Sequence, residues 1–445
     1  MKGSCVAFAM LGLLGIAGAS TSEAATKVFP YEYTETKFEN GLSVVVVPMA
    51  SPGLVAYYSI VRTGSRDEYE PGHSGFAHFF EHMMFRGTKN FPGDVYDKLV
   101  TEMGANANAF TSSDVTCYYL QISSEDLEKT MELESDRFQN LWYEEEAFKT
   151  EAGAVYGEYR KSISSAGFVL YETLMNTAFD VHTYKHTTIG FEADIKAMPT
   201  MYEYSKDFFQ RYYRPENVVL LIVGDVQSEP VLKMVQKYYG AWSPGYKTPP
   251  VPVEPEQTAA RSVKASFDGK TLPMLGIGYK SPAYKPTDIM PAACILLGDL
   301  AFGETSDLYK KLVLDEQRVQ YIGGGSGLSR DPELFTINTM VKDPADVAAV
   351  EAEIYKTIEQ FRTTPVDPQR LADIKNNAKY SYLMGLETPA GVARSLIGQL
   401  SITGRMQSVD EYYETLNSVT ADDIMNAAKQ VLVPEKRTVV LVEGQ

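Results

Sequence analysis

The sequence predicts an α+β protein made of two similar α/β sandwich-like domains. Three observations carry that expectation. The chain has 445 residues, too many for one ordinary hydrophobic core. A proline-rich polar stretch at 245–256 (GYKTPPVPVEPE), unfit for a helix interior or a central strand, divides it near the middle. On either side the same outline recurs: strands, a helix, strands, long helices and a final apolar strand. The expected boundaries are 25–244 for the first domain, 245–261 for the linker and 262–445 for the second, after an N-terminal segment of 1–24.

In the first half, 42–48 (LSVVVVP) and 54–62 (LVAYYSIVR) read as strands parted by a Pro/Gly turn. Short helices are expected over 75–85 and 94–103. Strands at 106–111 and 116–122 flank the turn Ser112-Ser113-Asp114. Apolar spacing marks 125–142 as an amphipathic helix capped by Ser123 or Ser124, and 144–163 as a second long helix. The run 218–223 (VVLLIV) is a buried strand ended by Gly224-Asp225, and a helix follows over 229–239. The second half gives strands at 262–267 and 273–280, a helix from 289, a strand at 335–340, helices at 345–361 and 368–386, and a terminal strand at 438–441.

The segment 1–24 has the layout of a secretory signal peptide: Lys2, an apolar run at 6–19 (VAFAMLGLLGIAGA), then small residues with cleavage expected after Ala19 or Ala24. The run is too short for a spanning helix of about 20 residues, and the lack of arginine argues against a mitochondrial presequence. No later stretch reads as apolar enough to span a bilayer, so the mature chain is expected to be soluble, in the periplasm or secreted. Three cysteines make no disulfide framework. Cys5 leaves with the signal, and Cys117 and Cys294 are expected as buried small hydrophobes. A formal charge of −17 argues against a nucleic-acid partner. Gly323-Gly324-Gly325-Ser326-Gly327 lacks the Lys-Ser/Thr ending of a phosphate loop and is expected to give flexibility or a tight turn.

Of five histidines, two lie in His78-Phe79-Phe80-Glu81-His82. Positions four apart stack on one helix face, so both imidazoles can reach one ion, which zinc accepts at about 2.0–2.1 Å. Glu81 points to the same region and can take a proton from an attacking water. This is the inverted HxxEH arrangement. A catalytic zinc needs a third protein ligand. Glu151 and Glu158, two turns apart on one helix beside Phe148, Val155 and Tyr159, are the candidates, and periodicity does not choose between them. His73 reads as a turn or helix-start residue, and His182 and His186 as loop or substrate-side residues.

Gly64-Ser65-Arg66-Asp67-Glu68, Gly75-Phe76-Ala77-His78-Phe79-Phe80-Glu81-His82-Met83 and Phe85-Arg86-Gly87-Thr88 resemble the signature of the pitrilysin/insulinase family of zinc metallopeptidases. The likeness continues through Gly104-Ala105-Asn106-Ala107-Asn108-Ala109-Phe110-Thr111, the Glu151 and Glu158 pair, Tyr213-Arg214-Pro215-Glu216-Asn217 and Val223-Gly224-Asp225. It is strong in the first half and loose in the second. The size resembles the short, two-domain branch, which includes β subunits of mitochondrial processing peptidase and bacterial periplasmic zinc peptidases.

The resemblance implies the pitrilysin-like metallohydrolase fold and one zinc ion per chain held by His78, His82 and Glu158. It makes Glu81 the water-activating base and Glu151 a second carboxylate orienting a ligand histidine. It assigns Asn108-Ala109-Phe110 to the edge strand along which an extended peptide lies. The family also holds the substrate carbonyl with an arginine–tyrosine pair from its second half. Here Val313 stands where the arginine is expected, and Tyr321 matches the tyrosine with one extra residue of spacing. Losing such a donor costs on the order of 10²–10³ in turnover. The expected assembly is therefore a heterodimer with a related subunit that lacks the zinc motif and supplies the pair, with a homodimer second and a lone enzyme third. The expected function is zinc endopeptidase cleavage of short or unfolded peptides. The competing readings are an assembly subunit that keeps a peptidase fold and a zinc enzyme of another class, such as an amidase.

Overall fold

The structure, a computed structural model, describes residues 27–445; the expected export segment and Cys5 lie outside the described residues. Strands β1 (Thr34–Lys37), β2 (Ser43–Pro48), β3 (Leu54–Val61), β4 (Asn106–Thr111), β5 (Thr116–Ser123) and β6 (Val218–Gly224) form one sheet in the order β1-β2-β6-β3-β5-β4. Only β2 and β6 run parallel, with Val44 opposite Leu220. Both are almost continuously apolar, as befits strands covered on two faces. The two-residue period then sorts their side chains. Val44, Val46, Leu220 and Ile222 join one core, while Val45, Val47, Leu221 and Val223 join another on the opposite face.

The first of these cores is closed by helices of the same half, chiefly α1 (Phe76–Met83), α3 (Leu127–Asn140), α4 (Glu145–Ser162), α7 (Tyr202–Tyr212) and α8 (Ser228–Tyr239). Helices α2 (Gly93–Glu102), α5 (Ala166–Ala178) and α6 (Glu192–Ala197) complete the half.

The second sheet comprises β7 (Arg261–Phe267), β8 (Met274–Ser281), β9 (Val319–Gly325), β10 (Glu333–Val341) and β11 (Arg437–Gly444), in the order β7-β11-β8-β10-β9. Strand for strand it repeats the first without β1: a parallel pair, β7 with β11, then antiparallel β8, β10 and the edge strand β9. Its helices are α9 (Ile289–Phe302), α10 (Asp307–Tyr309), α11 (Val347–Thr363), α12 (Pro368–Met384), α13 (Pro389–Thr403), α14 (Gln407–Ser418) and α15 (Ala421–Val431). The two-domain α+β expectation is met.

Two readings of the sequence are corrected here. The helical run Ile289–Asp315 is in fact long and apolar enough, by length and composition alone, to cross a membrane. It is apolar because α9 forms the centre of the second core, where Leu296, Leu297, Leu300 and Phe302 are fully buried. The glycine run is likewise not a loose turn: Gly323–Gly325 ends strand β9. Glycine is needed opposite it, in α9, since a Cβ on Gly298 would come within 2.6 Å of the Gly325 Cα.

The halves are joined by an exchange of helices. From the second half, α13 crosses to the first sheet, where Val392, Ala393, Leu396 and Leu400 cluster with Val45, Tyr58 and Leu221. From the first half, α5 crosses to the second sheet, where Leu170, Leu174 and Met175 cluster with Met274, Leu334 and Val440. Each sheet thus has one face covered by its own half and one by the other.

A polar knot sits beside the exchange. The β9–β10 connection brings Asp331 to 2.6 Å from Arg66 Nε and 3.0 Å from His182 Nε2. The Arg330 backbone N–H donates to Asp114 at 3.1 Å, and the Tyr184 hydroxyl donates to the same carboxylate at 2.9 Å. His182 and His186, expected as loop or substrate-side residues, do lie in a loop but are buried; they belong to this joint and to the underside of α1. The linker is strapped down too, with Glu254 accepting backbone N–H groups of Asp180, Val181 and His182 at 2.7–3.0 Å. An engineered protease site at Val253, which is 89% exposed, tests the exchange. After cleavage the two fragments are expected to elute together on gel filtration under native conditions; separation without denaturant would contradict mutual burial of α5 and α13.

Candidate metal centre

Helix α1 has eight residues, of which Phe76, Ala77, Phe79, Phe80 and Met83 are buried in the first core. That leaves His78, Glu81 and His82 on the remaining face. The helix starts at Gly75, whose φ of +94° and whose contact with the Ile189 carbonyl, 2.3 Å from a built Cβ, admit no side chain. Its first donors are met by a fully buried carboxylate: Glu68 accepts the N–H of Gly75 at 2.7 Å and of Ala77 at 2.6 Å. Burial pushes Glu68 well above the usual carboxylate range, and the two N–H groups pull it back. From below, the Tyr118 hydroxyl donates to the Phe80 carbonyl at 3.0 Å. His73, in the turn before the helix as expected, lies with its ring 4.0 Å from that of Tyr204.

Helix α4 presents its carboxylates to this face. Glu158 Oε2 lies 3.4 Å from His78 Nε2 and 3.6 Å from His82 Nε2. One ligating atom from each of the three residues falls within 4.8 Å of the others, the only such His/Cys/Asp/Glu group among the described residues. The choice that periodicity left open is resolved by position, since Glu151 lies behind the cluster. Its Oε1 accepts from His82 Nδ1 at 2.9 Å, and its Oε2 accepts from Arg86 Nε at 2.7 Å.

The electrostatics follow from these contacts. Burial, reinforced by His82, pushes the His78 imidazole down to about 4, so the ring is neutral and its nitrogen lone pair available. The hydrogen bond that His82 donates to Glu151 raises the imidazole against the opposing effect of burial. Burial alone would raise Glu151, but His82 and Arg86 hold it below the ordinary range. These are the requirements of a divalent-cation site with two imidazoles and one carboxylate.

Glu81 faces the same space. Burial raises its carboxyl, and the Thr111 hydroxyl donates to Oε2 at 2.6 Å. Thr111 ends β4, the free edge of the first sheet. Asn108 on that strand is exposed, and its Oδ1 accepts the N–H of Ala109 at 2.8 Å, while Phe110 packs against the second face's core. The remaining candidates sit apart. Tyr321 is 38% exposed on β9, the free edge of the second sheet, and no hydrogen bond or ion pair joins it to the histidines among the described residues. Val313 lies in a π-helical turn, Lys310–Asp315, packed against the second core. It turns Leu314 outward, 57% exposed. Arg318 is engaged elsewhere, 3.1 Å from Glu316.

Thr111, Arg86 and Glu68 are site residues that sequence reasoning did not single out. The four-residue spacing of His78, His82 and Arg86 was a usable signal for the second of them; Thr111 meets Glu81 across 30 residues, and Glu68 meets the helix start seven and nine residues on without a periodic pattern.

Comparison with known proteins agrees with this geometry. The insulinase (peptidase family M16) model matches residues 52–192, and the peptidase M16 inactive domain model matches residues 201–378. The zinc protease PqqE of Helicobacter pylori is 30% identical over 420 residues, covering 93% of each chain. The chain belongs to the insulinase family. His78, Glu81, His82, Glu151 and Glu158 all fall within the first matched segment, and Val313 and Tyr321 within the second. Among insulinase-family structures, the crystal structure of a protease from Helicobacter pylori fits with a TM-score of 0.87 at 29% identity, covering 93% of this chain and 99% of that one. Subunit 1 of the rat mitochondrial cytochrome b-c1 complex is 27% identical over 286 residues, 64% of this chain and 58% of its own length.

The cap on α1 predicts a stability effect. In Glu68→Gln one buried N–H of the helix start faces an amide NH₂ instead of an oxygen, at a cost of about 1–3 kcal/mol. Urea unfolding is expected to show that loss; an unchanged midpoint and slope would remove Glu68 from its capping role.

Proposed function

We propose that this chain is a zinc-dependent endopeptidase that cleaves short or unfolded peptides outside the cytoplasm, as the catalytic subunit of a two-subunit enzyme. The observation that carries the reading is the convergence of His78, His82 and Glu158 ligating atoms within 4.8 Å, beside a carboxylate, Glu81, that neither ligates nor pairs with a cation. A neutral buried imidazole, a second imidazole braced by Glu151 and a half-exposed carboxylate suit zinc, and both described cysteines are buried and free, away from this set. When bound, zinc supplies Lewis acidity, which polarises a carbonyl and makes water easier to deprotonate.

The rest belongs to the chain's own residues. Thr111 fixes Glu81 through Oε2, leaving Oε1 free of protein hydrogen bonds among the described residues to take the proton of the attacking water and pass it to the departing amine. The unpaired edge of β4 aligns the peptide as an added strand, binding its main chain with little demand on side chains. An incoming N–H acceptor at Ala109 displaces the Asn108 side chain that occupies it at rest. Because β4 ends at Thr111, the peptide that lies on the edge is carried past the base.

The two-subunit assembly is supported by what the second half lacks. Val313 stands where the family arginine is expected, and Arg318 is paired with Glu316. Stabilisation of the carbonyl oxygen then has to come from another chain. The export-like segment 1–24 supports a periplasmic site. The likeness to a cytochrome b-c1 subunit favours the second reading, an assembly subunit with a retained fold. That role does not require two histidines, a base and a third ligand to stay in register, as they do here.

The test is degradation of a labelled unstructured peptide by the complex purified from its native host, with the mass of the complex recorded. The expected result is chelator-sensitive cleavage, reduced about 10²–10⁴-fold by Glu81→Gln, in a complex containing a second, different chain. Cleavage that survives Glu81→Gln would falsify the role of Glu81, and full activity from copies of this chain alone would remove the heterodimer.

A further inference from the structure

His78, His82 and Arg86 are spaced at four-residue intervals, along one line of α1 and the 3₁₀ turn Met84–Arg86 that prolongs it. Helix α4 runs alongside in the opposite sense. Glu158 sits between His78 and His82, and Glu151 between His82 and Arg86. The two carboxylates and three basic groups form a ladder in which each carboxylate bridges two neighbours.

The rungs are not equivalent. The second nitrogen of His82 is braced by Glu151, whereas Nδ1 of His78 is buried with no partner among the described residues. Metal-binding histidines are normally oriented by an acceptor on the second nitrogen. In this pair only the His82 ring has such a brace among the described residues. Glu151 can serve only while Oε1 faces His82, and its own orientation is set from the other side. Arg86 donates to Oε2 through Nε at 2.7 Å and also through Nη2, two charged donors on one oxygen that hold Oε2 on the far side from His82 and leave Oε1 for the ring.

We infer that Arg86 is a positioning residue for the metal centre: it locks the Glu151 carboxylate so that the His82 ring is held with Nε2 toward the ion shared with His78 and Glu158. The inference rests on the proposed zinc function and deepens it. Nothing else in the structure asks for an arginine there. Its side chain is 48% exposed, while the Glu151 side chain is 6% exposed, so the contact contributes little buried area of its own. The outer side of the guanidinium opens on a cleft of about 490 Å³ lined by Trp142, Tyr143 and Glu144, wide enough for a small ion to reach the vacated position in a truncated variant.

Zinc affinity measured by competition against a chromophoric chelator tests this without reliance on turnover. Arg86→Ala is expected to bind zinc about 10–100-fold more weakly than wild type, with a changed visible spectrum of the cobalt-substituted site and a metal-free melting temperature close to wild type. Guanidinium ion at a few tens of millimolar is expected to restore part of the affinity in Arg86→Ala and none in wild type, and Arg86→Lys to fall between the two. Wild-type affinity in Arg86→Ala would overturn the inference. So would weaker binding that tracks a lower metal-free melting temperature and resists guanidinium, because the role would then be scaffolding. A wild-type chain that takes up no zinc defeats the proposed function itself, an outcome distinct from normal uptake by both chains.

Discussion

The structure turns on one juxtaposition: a short helix with histidines four residues apart lying antiparallel to a long helix that offers two carboxylates seven residues apart. Neither helix is complete without the other. The Glu151 side chain is nearly buried, and a buried carboxylate is expensive unless it meets donors. His82 is one such donor, and Arg86, half exposed beside a cleft, is another whose place water can take. Glu158, more exposed, points where the two Nε2 atoms converge. The polar faces of α1 and α4 are therefore mutually required, and that requirement fixes the distance between them more tightly than apolar packing alone.

The rest of the fold serves to keep α1 still. The helix is only eight residues long, too short to hold itself together in water. It is held by Glu68 at its start, by Phe76, Phe79 and Phe80 among aromatic rings, and by Tyr118 beneath. The exchange of α5 and α13 stiffens the platform further. Because each sheet is covered on one face by the other half, neither half can swing away without exposing an apolar sheet face. The knot of Arg66, Asp114, His182, Arg330 and Asp331 at the joint fits that demand. The family signature at residues 64–68 thus has a physical role at both ends: Arg66 in the joint and Glu68 under the metal-facing helix.

Much of this could be read before any coordinates. Apolar and alternating runs marked β2 to β8, β10 and β11 but not β1 or β9, and the four-residue histidine spacing with the seven-residue glutamate spacing marked side chains that the structure brings together. What could not be read depends on contacts distant in sequence. Periodicity places Glu151 and Glu158 on one face but does not say which one meets the imidazoles and which stands behind them. Arg86 and Glu151 are 65 positions apart, and Thr111 and Glu81 are 30 apart. Neither pairing leaves a local pattern. Helices α5 and α13 carry apolar residues suited to a buried face, but sequence does not reveal that the face belongs to the opposite half. The glycines at 323–325 looked like a turn because the close approach of Gly298 in α9 to Gly324 and Gly325 involves a helix more than twenty residues earlier.

The account stands or falls on what occupies the space between the three ligating side chains. X-ray absorption at the zinc edge, on the full mature chain purified from its native host without added metal, addresses this directly. The account predicts one zinc per chain with imidazole nitrogens from two histidines, the remaining donors all oxygen, and no sulfur. A chain without stoichiometric zinc, or a spectrum requiring sulfur donors or a single imidazole, would contradict it.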